Sequence, residues 1–345
     1  MKLTDEEKRM YHGESGSIVA KAMDYLVKFG EACDADSMVD IGYAHVYPGS
    51  PLFHRDLEEV LELAAGGARV VVPTTTNAIP TDIEQWQVIG APEEFARRQI
   101  SVVPAHKKMG IAGTYTCTPY LVGYLPPKGT HLASMETSAV IYFNSMLGAR
   151  SNRDSLFIIY AALTGKYPAC GYHLDENRIG THLIHVETKL TNTTEYSALG
   201  FCIGEIVGGG VPIITGLVSP QLEELIAMGS AIATSGEAAL FHIPGITAEC
   251  PTLDSTFTKG TSYNESSIDD KGIRRIYEKF YTAKSDIVDF VFLGCPHYTL
   301  EQIRQVAILL QGHKIQKDVK FWVCTSRSNK AVADLTGYSE VIEAA

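Results

Sequence analysis

The chain's most reactive residue types are its seven cysteines: Cys33, Cys117, Cys170, Cys202, Cys250, Cys295 and Cys324. Cys117 lies between two threonines, follows an apparent strand from Ile111 to Tyr115, and is trapped before Pro119. Cys295 ends the very apolar run from Asp289 to Gly294 and precedes Pro296, where a helix is expected to start. A thiolate at a helix N-terminus is stabilised by the aligned backbone dipoles, which suits a metal or cluster ligand. Proline is favourable in a first helical turn because it has no amide hydrogen to leave unpaired. The bland alternative is a buried structural thiol, since free cysteine is among the most buried residue types. Position alone leaves that structural reading open for Cys117 and Cys295 as well as for the other five, among which Cys324 is the least secure. No C-x-x-C occurs, so neither a zinc ribbon nor a ferredoxin-type run is available.

Residues 113–178 are the densest in hydrogen-bonding types. Glu136-Thr137-Ser138, Asn144, Arg150-Ser151-Asn152-Arg153, His173 and Asp175-Glu176-Asn177-Arg178 interrupt apolar runs such as Ala139 to Phe143 and Leu156 to Leu163. Buried polar groups need partners, whether side chain, water or ligand. Guanidinium groups clamp carboxylate or phosphate through paired hydrogen bonds, so Arg150, Arg153 and Arg178 are candidates to hold an anionic substrate. Internal salt bridges to Glu136, Asp154 or Asp175 are the competing reading. Asn77, Asn144 and Asn152 could orient hydroxyls or carboxylates, or serve as turn and cap residues. His45, His173 and His297 are acid–base candidates, because histidine titrates near neutral pH, or else satisfied structural histidines. Ser235-Gly236 resembles a small-residue turn that brings backbone amides to an anion; a simple strand-to-helix turn explains it as well.

At 345 residues, 45% hydrophobic and 20% charged, the chain has the composition of a soluble globular protein of about two domains. A formal charge of −11 argues against non-specific nucleic-acid binding, without excluding a locally positive substrate site. The charged start is no secretory signal and no apolar run approaches the ~20 residues of a membrane span. Seven widely spaced cysteines fit reduced thiols, so a cytoplasmic location without membrane attachment is expected. Motifs for dinucleotide, nucleoside-triphosphate, zinc-protease and serine-hydrolase sites are absent.

The elements that must position these groups alternate strand and helix. Thr4 can cap a helix rich in acidic residues at its start. Ile18 to Gly30 reads as an amphipathic helix, Met38 to Ala44 as a strand, Asp56 to Ala65 as a helix, and Arg69 to Val72 as a strand delivering Pro73–Asn77 as a loop. That order predicts a parallel sheet, whose ligands lie beyond the carboxyl ends of its strands, where His45 and Asn77 would stand. Later come a helix at Glu93 to Gln99, a strand at Leu183 to Val186, a helix at Ala198 to Glu205 and a strand at Val211 to Thr215. Residues 219–345 repeat the rhythm, with segments at Glu223 to Met228, Ala231 to Thr234, Lys271 to Phe280, Asp289 to Gly294, Leu300 to Leu310, Lys320 to Cys324 and a last helix from Ser328. We expect an α/β fold with an N-terminal part at 1–210 and a C-terminal lobe at 211–345.

The chain also resembles the large, catalytic subunit of the aconitase X family of iron–sulfur dehydratases. The resemblance rests on Thr116–Tyr120, Glu136–Val140, Asn144–Arg150, Asn152-Arg153 and His173–Arg178. Gly13–Gly16, Val72–Asn77, Ser235-Gly236 with Leu240–His242, and Gly294–His297 add to it, so it spans nearly the whole chain. It implies a multi-lobed aconitase-like core with parallel sheets around a central cleft. It also implies an iron–sulfur cluster, held here by Cys117 and Cys295. Catalytic roles are expected for His45, His173 and Glu136, and substrate contacts for Thr75, Asn77, Ser138, Asn144, Arg150, Asn152, Arg153, Ser235 and Gly236. A cluster with one iron open to substrate needs at least three thiolates. The family usually carries a further cysteine near the end of its large subunit, but this sequence stops at Ala345, apparently before that point. Either the chain is truncated, Cys324 substitutes, or the cluster is held differently. The implied reaction is loss of water from a small hydroxylated acid, mevalonate 5-phosphate or cis-3-hydroxy-L-proline, together with a small swivelling subunit. A cluster-free scaffold of the same fold is the alternative of a different class.

Overall fold

The computed structural model describes residues 1–49, 54–154, 158–257 and 263–345. Leu156 and Phe157, the start of one apolar run noted above, lie outside them; the rest of that run, Ile158–Thr164, is a buried helix. Ten strands form the sheets: β1 Met38–Asp40, β2 Tyr43–Val46, β3 Thr74–Thr76, β4 Leu132–Ser134, β5 Lys166–Pro168, β6 His182–Val186, β7 Pro212–Thr215, β8 Asn264–Ile268, β9 Phe290–Tyr298 and β10 Lys320–Thr325.

Three parallel sheets define three lobes: β3-β2-β4, β7-β6-β8, and the β9–β10 pair. A small antiparallel pair, β1–β5, flanks the first. The architecture is α/β with several lobes, as expected. The division at 210/211 has to move, because it falls between β6 and β7, which are hydrogen-bonded neighbours.

In the first lobe β2, β3 and β4 are buried along their whole length, as parallel strands covered on both faces must be. Threonine serves in β3 because its β-branched side chain fits a strand while its hydroxyl can find a partner. Thr4 caps the helix Asp5–Tyr11 through a reciprocal capping box with Glu7. The expected strand at Arg69 to Val72 is displaced to Thr74–Thr76. Val71 N–H donates to Ala162 O, and the ladder starts at Pro73 O, which accepts from Ala44 N. The expected strand Met38 to Ala44 splits at Gly42, whose N–H goes to His131 O, so its halves join two different sheets. Ile111 to Tyr115 is no strand: Ala112 bridges Thr75 alone, and Tyr115 has φ of 43°.

In the second lobe the segments expected at Glu223 to Met228 and Ala231 to Thr234 are one helix, Leu222–Gly236. Its small residues mark a close helix crossing rather than a turn. It packs on the helix Thr193–Val207 through Gly200, Gly204 and Gly236; a Cβ on Gly200 would stand 2.2 Å from Met228 O. That oxygen belongs to the helix backbone and cannot step aside.

Gly200→Ala should therefore cost about 1–3 kcal/mol. It is read as a lower urea midpoint with unchanged slope. Gly209→Ala, where nothing lies within 4 Å, should leave the midpoint in place.

Candidate active site

The carboxyl ends of the three parallel strands of the first lobe deliver His45 on β2, Asn77 just after β3, and Glu136 two residues after β4. Register places Thr75 and Ser134 on either side of His45. All three are fully buried. His45 Nδ1 lies 2.8 Å from Thr75 Oγ1, and Thr75 also hydrogen-bonds the Tyr43 hydroxyl. Burial holds the His45 imidazole neutral, with its pKa lowered to about 3. Its Nε2, the Ser134 hydroxyl and Asn77 Oδ1 have no partner among the described residues despite burial.

Glu136 caps the helix Thr137–Ser145. Its Oε1 accepts from the Ser138 amide at 3.3 Å and hydroxyl at 3.1 Å, and its Oε2 accepts from Asn77 Nδ2 at 2.5 Å. The Ser138 hydroxyl lies 3.2 Å from Cys117 O, tying this cap to the cysteine loop. Cys117 precedes the short 3-10 turn Pro119–Val122, with Thr118 between them.

The third lobe completes the arrangement. His297 N–H donates to Cys117 Sγ at 3.2 Å, and its ring Nδ1 lies 3.0 Å from Thr116 Oγ1. Cys295 is not at a helix start. β9 runs on through Cys295, a cis Cys295-Pro296 bond and His297, and the next helix begins at Leu300 behind the Thr299 cap. A left-handed Gly294 lets β9 pass against the Cys324 backbone, because a Cβ there would meet Cys324 O at 2.1 Å. Cys324 thus stands beside the Cys295 turn.

The three thiols sense one another. Burial, then the Glu136 charge, pushes Cys117 up to about 12, with a smaller contribution from Cys295; the His297 amide acts the other way. Cys295, although exposed by surface area, is raised by the surrounding protein and by Glu136, and Cys324 is raised by burial, Cys295 and Asp82. All of these influences except the His297 amide favour the protonated thiols. Among the described residues no three His, Cys, Asp or Glu side chains surround one metal ion. Thiolates that bind different irons of one cluster need not meet at a single point. Two convergent thiols, a third beside them, and orphaned polar atoms next to them match the donor chemistry of an iron–sulfur group.

Other expected site residues do structural work or stand elsewhere. Asn144 is saturated: Nδ2 donates to Ser151 O and Ala239 O, and Oδ1 accepts from Ser151 N and Arg178. Asn152 donates to Cys170 O at 3.0 Å and accepts from Tyr172 N at 2.7 Å. Arg178 pairs with Glu249 at 2.7 Å, and Arg150 pairs with Asp175 and reaches Glu249 at 3.6 Å. His173 faces His131, with 2.9 Å between Nδ1 atoms, and its carbonyl accepts from Arg150 at 3.3 Å. This group gathers around Asn144, at the other end of the helix that Glu136 caps. Ser235 and Gly236 form no anion-binding turn; the Ser235 hydroxyl donates to Ala231 O and Phe201 O, and Gly236 packs on Gly204. Arg153 is exposed, makes no ion pair among the described residues, and donates to Ala233 O at 3.4 Å. Thr116, which hydrogen-bonds the acid–base candidate His297, was given no site role by sequence reasoning; its place beside Cys117 was the available signal.

Buried neutral histidines make stability depend on pH. His45 and His173 are lowered to about 3 and His106 to about 4, chiefly by burial. Below the unfolded value near 6.5 the unfolded chain takes up protons that the folded chain refuses. Stability is full above that pH and falls as pH drops toward 3, by up to about 1.4 kcal/mol per pH unit for each histidine. His45→Gln should flatten the slope of unfolding free energy between pH 6 and 4 by about one proton. Parallel slopes for variant and parent would refute the assignment.

Comparison with known proteins agrees with this geometry. Family profiles described as aconitase X first, second and third domain match residues 1–176, 180–278 and 288–345. The phosphomevalonate dehydratase large subunit of Methanothermobacter thermautotrophicus is 41% identical, over 98% of this chain and 84% of the relative. The protein of the same description from Methanocaldococcus jannaschii is 37% identical over 100% and 87%. The crystal structure of Thermococcus kodakaraensis aconitase X in its holo-form superposes with a TM-score of 0.89 at 35% identity, covering 99% of this chain and 86% of that one. With three domain profiles in order and the whole fold shared, the chain belongs to the aconitase X family and is a hydro-lyase built as its large, catalytic subunit.

Proposed function

We propose that this chain dehydrates mevalonate 5-phosphate, using an iron–sulfur cluster held by Cys117 and Cys295, with Cys324 as the third thiol. The single observation that carries this reading is the convergence of Cys117 and Cys295 through the His297 amide, beside Glu136. The similarity to phosphomevalonate dehydratase large subunits supports the choice of substrate over cis-3-hydroxy-L-proline.

The cluster would supply a Lewis-acidic iron for the departing hydroxyl. The chain's own residues do the rest. Glu136, oriented by Asn77 and Ser138, holds or accepts the proton leaving the neighbouring carbon. Asn77 Oδ1 and His45 Nε2, both lacking partners, are available to substrate hydroxyls. His45 remains neutral, so it polarises rather than carries charge. Arg153, without an ion pair among the described residues although its charge acts on the neighbouring Asp154, clamps the carboxylate or phosphate. Its backbone pairs with Ser134, which places it next to the His45 strand. Arg150 and Arg178, already paired with carboxylates, both reach Glu249 of the second lobe and brace it against the first. A small swivelling subunit closes the site, so the chain turns over within a hetero-oligomer, in the cytoplasm.

Anaerobic reconstitution with iron and sulfide should give visible absorbance and bound iron in the parent. Cys117→Ser and Cys295→Ser should lose most of both, and Cys324→Ser a large part. With the small subunit added, mevalonate 5-phosphate should yield a product lighter by one water by mass spectrometry, and cis-3-hydroxy-L-proline should not. A featureless spectrum without iron would instead favour a scaffold role. Turnover of the hydroxyproline alone would move the substrate assignment.

A further inference from the structure

Cys33 and Cys170 lie outside the site just described, yet their sulfurs are 2.8 Å apart, closer than two unbonded sulfurs usually rest. Both are free thiols. Cys33 is the C-cap of the helix Ser17–Ala32 and Cys170 directly precedes the 3-10 turn Gly171–His173. The β1–β5 pairing, continued by Ala169 N–H donating to Ser37 O, brings these segments together. Cys33 is half-buried, which gives a small reagent access, whereas Cys170 is 6% exposed. The Cys170 backbone is clamped. Its carbonyl accepts from Asn152, and Gly171 beside it has no room for a Cβ, which would stand 2.2 Å from Asn152 Oδ1. Cys33, at a helix end, is the partner that adjusts.

We propose that Cys33 and Cys170 form a reversible dithiol–disulfide site whose oxidant is a low-molecular-weight disulfide. Cys33 thiolate attacks one sulfur of the small disulfide. That bond breaks, the displaced small thiolate leaves and takes up the proton Cys33 gave up, and Cys33 carries a mixed disulfide. The Cys170 sulfur then attacks the Cys33 sulfur, forming the internal bond and expelling the second small thiol with the Cys170 proton. Two protein thiols are oxidised and one small disulfide is reduced to two thiols. The order follows from access, and burial, the Cys33 sulfur and the Asp154 carboxylate all favour the protonated form of Cys170. The bond would tie the end of the first long helix to the segment that leads into His173, Asp175 and Arg178. It would close a loop of more than a hundred residues, restricting the unfolded chain.

The test equilibrates the full chain in a series of glutathione disulfide–glutathione buffers, followed by acid quench, alkylation and peptide mapping. The Cys33 and Cys170 peptides should lose alkylation together in one two-electron transition. They should reappear as a linked species two hydrogens lighter than their sum, which separates on reduction. Oxidised parent should melt several degrees above reduced parent, and Cys33→Ser should show no such difference while its Cys170 stays alkylatable. If both thiols remain alkylatable at the oxidising extreme, or Cys33 stops as a glutathione adduct, the proposal is overturned. Peptide mapping of the parent decides this without relying on any variant's folding.

Discussion

The contact on which the rest depends is the hydrogen bond from the His297 amide to the Cys117 sulfur. It joins the third lobe to the first at the candidate site. The third lobe has only a two-stranded sheet, with Phe290 and Phe292 exposed, so its own core cannot dictate where it sits. Polar contacts set its position: His297 to Thr116, Thr299 to Glu223 of the second lobe at 2.9 Å, and Arg327 to Glu84 of the first. Surface ion pairs such as the last are weak singly. The sulfur–amide contact is worth more because it is partly buried, where a hydrogen bond left unmade costs more.

The first lobe shows what buried polar residues are for. Asn144 and Asn152 satisfy backbone groups that no strand or helix pairs, and losing either would leave those groups orphaned. By contrast His45 Nε2, Asn77 Oδ1 and Ser134 Oγ remain unpaired at the ends of three parallel strands. A fold tolerates such cost mainly where function requires it. The difference between these two groups separates the frame of the site from its working face, though the residue types are the same.

The same distinction applies to the arginines. Arg150 and Arg178 answer Asp175 and Glu249, so they neutralise charge between lobes. Arg153, bridged to Ser134, makes no ion pair among the described residues, and its charge acts on the neighbouring Asp154. The sequence left each arginine open between an anionic substrate and an internal salt bridge. The fold gives Arg150 and Arg178 salt bridges.

Much was legible in the residues alone. Strand–helix alternation, the Thr4 cap, the Leu300–Leu310 helix and the placing of His45 and Asn77 at carboxyl ends of parallel strands follow from local pattern, because periodicity and capping are short-range. The prominence of Cys117 and Cys295 was equally local, each being set beside a proline and an apolar run. Which polar residues are saturated was not legible. Asn144 meets Ala239 across ninety-five positions, and no local pattern reports such a partner. Small residues misled for a related reason: Ser235-Gly236 reads as a turn by propensity, but a neighbouring helix gives its narrow face something to pack against. Sequence determined which groups could do chemistry; only the tertiary structure decided which of them meet, since meeting depends on lobes brought together from distant parts of the chain.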